Sequence, residues 1–152
     1  MGPRFIRGER LESGVAVADG EAGRGVYFCL SNSPAMVRYY TKDARRIVEA
    51  VPKMECSIVD LTKPEIKKRM IQFLNEEVNR VDESMGENHV TTKVTGMNYQ
   101  RYGRIIELFI IIHYPGVAAY FADHFGPGIP KGKQLVVRDL SKFDLTDVKR
   151  DS

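Results

Sequence analysis

Gly23-Arg24-Gly25-Val26-Tyr27-Phe28-Cys29-Leu30-Ser31 constrains the fold more than any other stretch of the chain. Its glycines permit positive φ and close approach by another backbone or a ligand, so the segment opens as a turn. Val26 to Leu30 is β-branched, aromatic and apolar, which suits a strand buried on both faces. A tyrosine directly after such a turn is placed at the rim of a cleft. Most stretches of this kind are a turn and a core strand with no further role, so the rest of the chain decides how Tyr27 is read.

The 152 residues fit one domain, 1–152, with a sizeable core. Basic residues exceed acidic ones by 23 to 20, a net charge of +3 that permits a phosphate-bearing partner without arguing for one. Cys29 and Cys56 sit in apolar surroundings and read as reduced core thiols of a cytoplasmic protein. His89, His113 and His124 are scattered and fit no zinc spacing, so no metal is expected. The apolar run 108–112 is too short to span a bilayer, and the N-terminus has no signal-peptide core.

Strands and helices alternate irregularly, which predicts an α+β fold. Arg4-Phe5-Ile6-Arg7-Gly8 alternates like a half-buried strand, and 9–22 reads as a loop with one turn of structure. Ser33 and Pro34 open a helix to Thr41; 42–51 extends it or forms a second helix. A strand over 55–61 precedes a helix from Pro64 to about Val81, with Ile66, Met70, Phe73, Leu74 and Val78 at helical spacing. Residues 82–93 are polar and read as an exposed loop. Tyr99, Tyr102, Ile105, Ile106, Phe109, Ile110 and His113 mark a second long helix, in preference to a strand over 104–113, and Tyr114-Pro115-Gly116 stops it. Strands over 117–121 and 134–140 flank a turn-rich loop at 126–133, and a last turn begins at Asp144 or Thr146.

Three of these elements, in this order, resemble the ADP-ribosyltransferase superfamily, which includes the poly(ADP-ribose) polymerases. They are Arg7-Gly8 at the first strand end, Gly23-Arg24-Gly25-Val26-Tyr27-Phe28, and the closing strand from Gln134. A helix with Ser33, Ala35 and Tyr39 or Tyr40 approximates the family's Ser-x-x-Ala-x-x-Tyr. The resemblance spans Arg4 to Leu145 and is close only at Gly23 to Phe28. It implies two packed sheets around a cleft holding NAD⁺ as substrate. In that cleft Gly8 would bond the nicotinamide amide through its backbone, and Arg7 would hold ribose hydroxyls or the pyrophosphate. Tyr27 and Tyr39 or Tyr40 would sandwich the cationic ring. Phe28 and Ser31 complete the implied cofactor-binding set.

The chain departs from the family at Gln134, where active members carry the catalytic glutamate that supplies negative charge near an oxocarbenium-like ribose. Losing that charge removes about 2–4 kcal/mol of transition-state stabilisation. Arg7, Tyr27 and Gln134 are therefore the implied catalytic residues. The implied function is an NAD-dependent mono-ADP-ribosyltransferase, a toxin or host-modifying effector acting on a nucleic-acid or protein acceptor, with a cognate antitoxin as a further partner. The alternative is a catalytically dead ADP-ribosyltransferase-like binding module.

Overall fold

The computed structural model describes residues 3–85, 93–126 and 128–148, the side chains of 81–85 excepted. Eight strands and three helices follow in the order β1 (Phe5–Glu9), β2 (Ala18–Gly20), β3 (Gly23–Leu30), α1 (Pro34–Thr41), β4 (Arg46–Pro52), β5 (Ile58–Asp60), α2 (Pro64–Met85), α3 (Gly103–His113), β6 (Ala119–Gly126), β7 (Ile129–Val137) and β8 (Phe143–Val148). A single 3-10 turn, Tyr99–Tyr102, leads into α3, and another, Leu140–Lys142, leads into β8. The expected α+β class holds.

The strands form one sheet in the order β5-β6-β7-β3-β1-β4-β8, with β2 added against β3. Among the described strands only β5 and β6 run parallel. The expected pair of separate sheets is thus a single continuous one. It is weakest at one seam: β1 and β3 share two register pairs, Phe5 with Leu30 and Ile6 with Cys29. The sheet also curls. The ring of Phe5 on β1 lies 5.8 Å from that of Phe121 on β6, although two strands separate theirs. In a flat sheet those strands would be about 14 Å apart. Phe5, Val26, Phe28, Ala50, Leu135 and Phe143 fill the concave side.

The opposite face carries the helices. Met70 and Leu74 of α2 and Ile106, Phe109 and Ile110 of α3 are fully or almost fully buried with Tyr120, Ala122 and Val136 of the sheet. The three-and-four spacing of their apolar residues requires this packing. α3 begins at Gly103 and ends with the Tyr114 N–H donating to the Ile110 carbonyl at 2.8 Å, before Gly116 at φ 81°. α1 covers the neighbouring part of the same face, with Met36 packed on Ile6 and Cys29.

Five local expectations are corrected. Residues 42–51 hold β4 rather than helix: α1 stops after Thr41, and Ile47, Val48 and Ala50 pair with both β1 and β8. The loop 9–22 contains β2. The loop 126–133 is mostly β7, because Ile129 pairs back onto Gly126 as a hairpin. Residues 143–148 form an edge strand, not a helical turn. The predicted loop 82–93 gives way to α2 up to Met85, and 86–92 lies outside the described residues.

Candidate functional site

The residues singled out by the resemblance gather where β1 and β3 diverge. Beyond Ile6 the two strands no longer pair, and the Arg7 side chain fills the gap. Its Nη1 donates to the Tyr27 carbonyl at 3.1 Å and its Nε to Glu9 Oε2 at 2.9 Å. Gly8 lies beneath the end of α1. A Cβ there would collide with the Tyr40 carbonyl and lie 2.8 Å from the Ala44 methyl group, so only glycine lets α1 sit this close.

Tyr27, Cys29 and Gln134 share the helix-bearing face. Cys29 pairs directly with Gln134, and Tyr27 with Val136 two residues on. The Tyr27 phenol turns back to its own turn. It donates to the Gly23 carbonyl at 2.5 Å and accepts from the Ala22 N–H at 3.0 Å. The Tyr120 hydroxyl donates to the Ala22 carbonyl from the other side. Two phenols therefore clamp a turn that Gly23 makes at φ 113°. Burial pushes the Tyr27 phenol up to about 12 and that of Tyr40 upward as well, so both are neutral donors.

Gln134 is buried, 3% exposed. Its Nε2 donates to the Asp123 carbonyl at 3.0 Å, and its Oε1 accepts from the Tyr40 hydroxyl at 3.4 Å. Tyr40 and Tyr39 both meet the ring of His124, with centroids 5.8 and 5.4 Å away. The two tyrosines thus pack against a histidine of β6. Phe28 points to the concave side and is fully buried, and Ser31 is exposed beyond the strand end, its N–H donating to the Arg4 carbonyl. Arg7, Gly8, Tyr27, Tyr40 and Gln134 are brought together; Phe28 and Ser31 stand apart.

Two acids were missed in the sequence. The Glu9 carboxylate, 1% exposed, accepts from Arg7, from the N–H groups of Arg10 and Leu11, and from that of Ala16. Burial alone would raise its pKa. The Ala16 N–H, the Arg7 guanidinium and the Leu11 N–H outweigh that and hold it below the usual value. Asp123 pairs with Lys67 at 2.6 Å and accepts from the Tyr99 hydroxyl at 2.7 Å. The alternation of β1 places Glu9 on the core side of a strand end, but nothing in one sequence says that three backbone donors converge on it.

Three cavities lie away from this cluster. A cavity of about 730 Å³ is lined by Glu21, Met97, Gln100, Arg101, Phe125 and Ile129. One of about 530 Å³ includes Asp19, Arg24, Arg101, Arg104 and Glu107. A third, of about 310 Å³, includes Val17, Arg24, Val137 and Arg138. Arg7, Tyr27 and Gln134 line none of the three. No group of three or more His, Cys, Asp or Glu side chains suited to a metal ion occurs among the described residues.

No family model and no curated protein matches the chain. A solved structure described as an anti-CRISPR protein is similar over 95% of this chain and 94% of its own, with 11% identity and a TM-score of 0.46. At that level of likeness neither fold nor function transfers.

The expected function as an NAD-dependent mono-ADP-ribosyltransferase is corrected at this point. The site itself supplies the physical reason. The position that needs a carboxylate holds a buried glutamine whose amide and carbonyl already have protein partners. The Tyr27 phenol and the Arg7 guanidinium are bonded to the fold's own backbone. Among the described residues no helix is long and apolar enough to cross a membrane.

Proposed function

We propose that this chain is a catalytically inactive, ADP-ribosyltransferase-like module that acts by binding a macromolecular partner. The observation that carries this reading is Gln134. It is uncharged, buried and hydrogen-bonded on both sides, so it offers no negative potential to a developing ribose cation. The family-like fold is supported by the thin β1–β3 seam and by the curl that brings Phe5 against Phe121.

In such a scaffold the residues singled out by the resemblance serve cohesion. Arg7 bridges the seam, Tyr27 closes the β2–β3 turn, and Tyr40 and Gln134 join α1 to β7. Binding then belongs to surfaces outside this cluster. The test is to titrate NAD⁺ into the chain and into its Gln134→Glu variant by calorimetry, following nicotinamide release from both. No release from either is expected. Release by the native chain would overturn the reading.

A further inference from the structure

The outer face of α3 is apolar where it meets solvent. Leu108, Ile111 and Ile112 are 38%, 46% and 54% exposed. They stand at i, i+3 and i+4 and so form one stripe along the helix. Arg104, exposed and four residues before Leu108, continues the stripe toward the N-terminus. Arg101 lies in the turn just before α3. It lines the 530 Å³ cavity together with Arg104 and the 730 Å³ cavity together with Met97, itself 77% exposed. Neither arginine forms an ion pair with a described carboxylate. At the far end, Arg69 of α2 donates to the Tyr114 hydroxyl at 2.9 Å, which adds a third guanidinium beside the helix terminus. The acid on α3, Glu107, already accepts from the Arg24 N–H at 3.2 Å.

We propose that this face docks an acidic protein segment whose apolar side chains cover Leu108, Ile111 and Ile112 and whose carboxylates meet Arg101 and Arg104. The proposal rests on the binding-module reading and names its surface and partner. A lone exposed leucine is ordinary, but three large aliphatic groups within two helical turns are a contiguous patch. Apolar residues rimmed by arginine have the composition of a protein interface. Charge selects the occupant. A second copy docked by two-fold symmetry would set Arg101 and Arg104 against a face where Asp19 and Glu107, the acids of the 530 Å³ cavity, are already engaged by Arg24. Nucleic acid would match the arginines but leave the aliphatic stripe uncovered.

Two amphipathic helical peptides test the surface. Both carry the same leucine face; one has glutamate on the flanks, the other lysine. Fluorescence anisotropy is followed at low and high salt, alongside a single-stranded oligonucleotide. The glutamate peptide is expected to bind, more weakly as salt rises. Leu108→Ser with Ile112→Ser, and separately Arg101→Glu with Arg104→Glu, should each raise its Kd about tenfold. These surface changes should leave the denaturation midpoint in place, which separates lost docking from lost folding. Equal binding of both peptides, binding of neither, or tighter binding of the oligonucleotide overturns the proposal. So does a dimer in sedimentation that Ile112→Ser dissolves. Nicotinamide release by these samples would overturn the non-catalytic reading while leaving the peptide result to stand or fall by itself.

Discussion

At Glu9 four hydrogen bonds converge on one buried carboxylate and fix the start of the 10–16 loop to the end of β1. The carboxyl is held below its ordinary value of 4.5. Its contribution to stability is therefore fully present above the unfolded value and is lost as pH falls through the lowered folded one. Asp60, bonded to Lys133 and Thr62, is lowered too and adds to the same acid limb. Glu9→Gln should cost about 1–3 kcal/mol near neutral pH and flatten the fall in stability between about pH 5 and pH 3. Urea midpoints across that range would show it, and an unchanged slope would remove Glu9 from the account. Tyr27 gives a second check at this scale. Tyr27→Phe strips the hydroxyl from the Gly23 carbonyl and the Ala22 N–H and should cost about 1–3 kcal/mol. A neutral substitution would mean that the phenol is there for a ligand rather than for the turn.

Among the elements, α3 bears on one side the core and on the other the exposed aliphatic stripe. Ile110 is fully buried against the sheet, so Ile110→Ala should cost about 2–5 kcal/mol in chemical denaturation. Ile112→Ser, two residues on, should cost far less. This two-sidedness was legible in part. The helical spacing of Ile106, Phe109 and Ile110 identified the buried face, but the periodicity also drew in Tyr102, Ile105 and His113, which are only half-buried or exposed. A run of five apolar residues, Leu108 to Ile112, cannot reveal which of them the sheet will cover. Residues 42–51, which hold β4, read as a continuation of α1 or a second helix with Arg45 and Arg46 solvated. Pairing with both β1 and β8 overrode that local preference, and such pairing is set by contacts distant in sequence. Gly23 to Leu30 was legible because its glycines and β-branched, aromatic run determine a turn and a strand locally. What that turn does with Tyr27 depends on Ala22 and on Tyr120, nearly a hundred residues away, and was not legible.

For the molecule as a whole, the decisive feature is a sheet thin at its middle and curled around one aromatic and aliphatic core. The Arg7 guanidinium spans the place where β1 and β3 part, and Gln134 is held in the wall beside it by Tyr40 and the Asp123 carbonyl. The resemblance read from the sequence singles out Arg7, Gly8, Tyr27, Tyr40 and Gln134, and these lie together in the fold. It did not show that each group would be bonded within the protein, because hydrogen-bond partners are a property of the assembled fold. On the binding-module proposal, a molecule so arranged would hold a partner on its surface and leave NAD⁺ intact. The direct measurement is nicotinamide release from NAD⁺ by the purified native chain, followed over hours by chromatography against a protein-free control. The account predicts the two traces to coincide; nicotinamide accumulating in proportion to the amount of protein would contradict it.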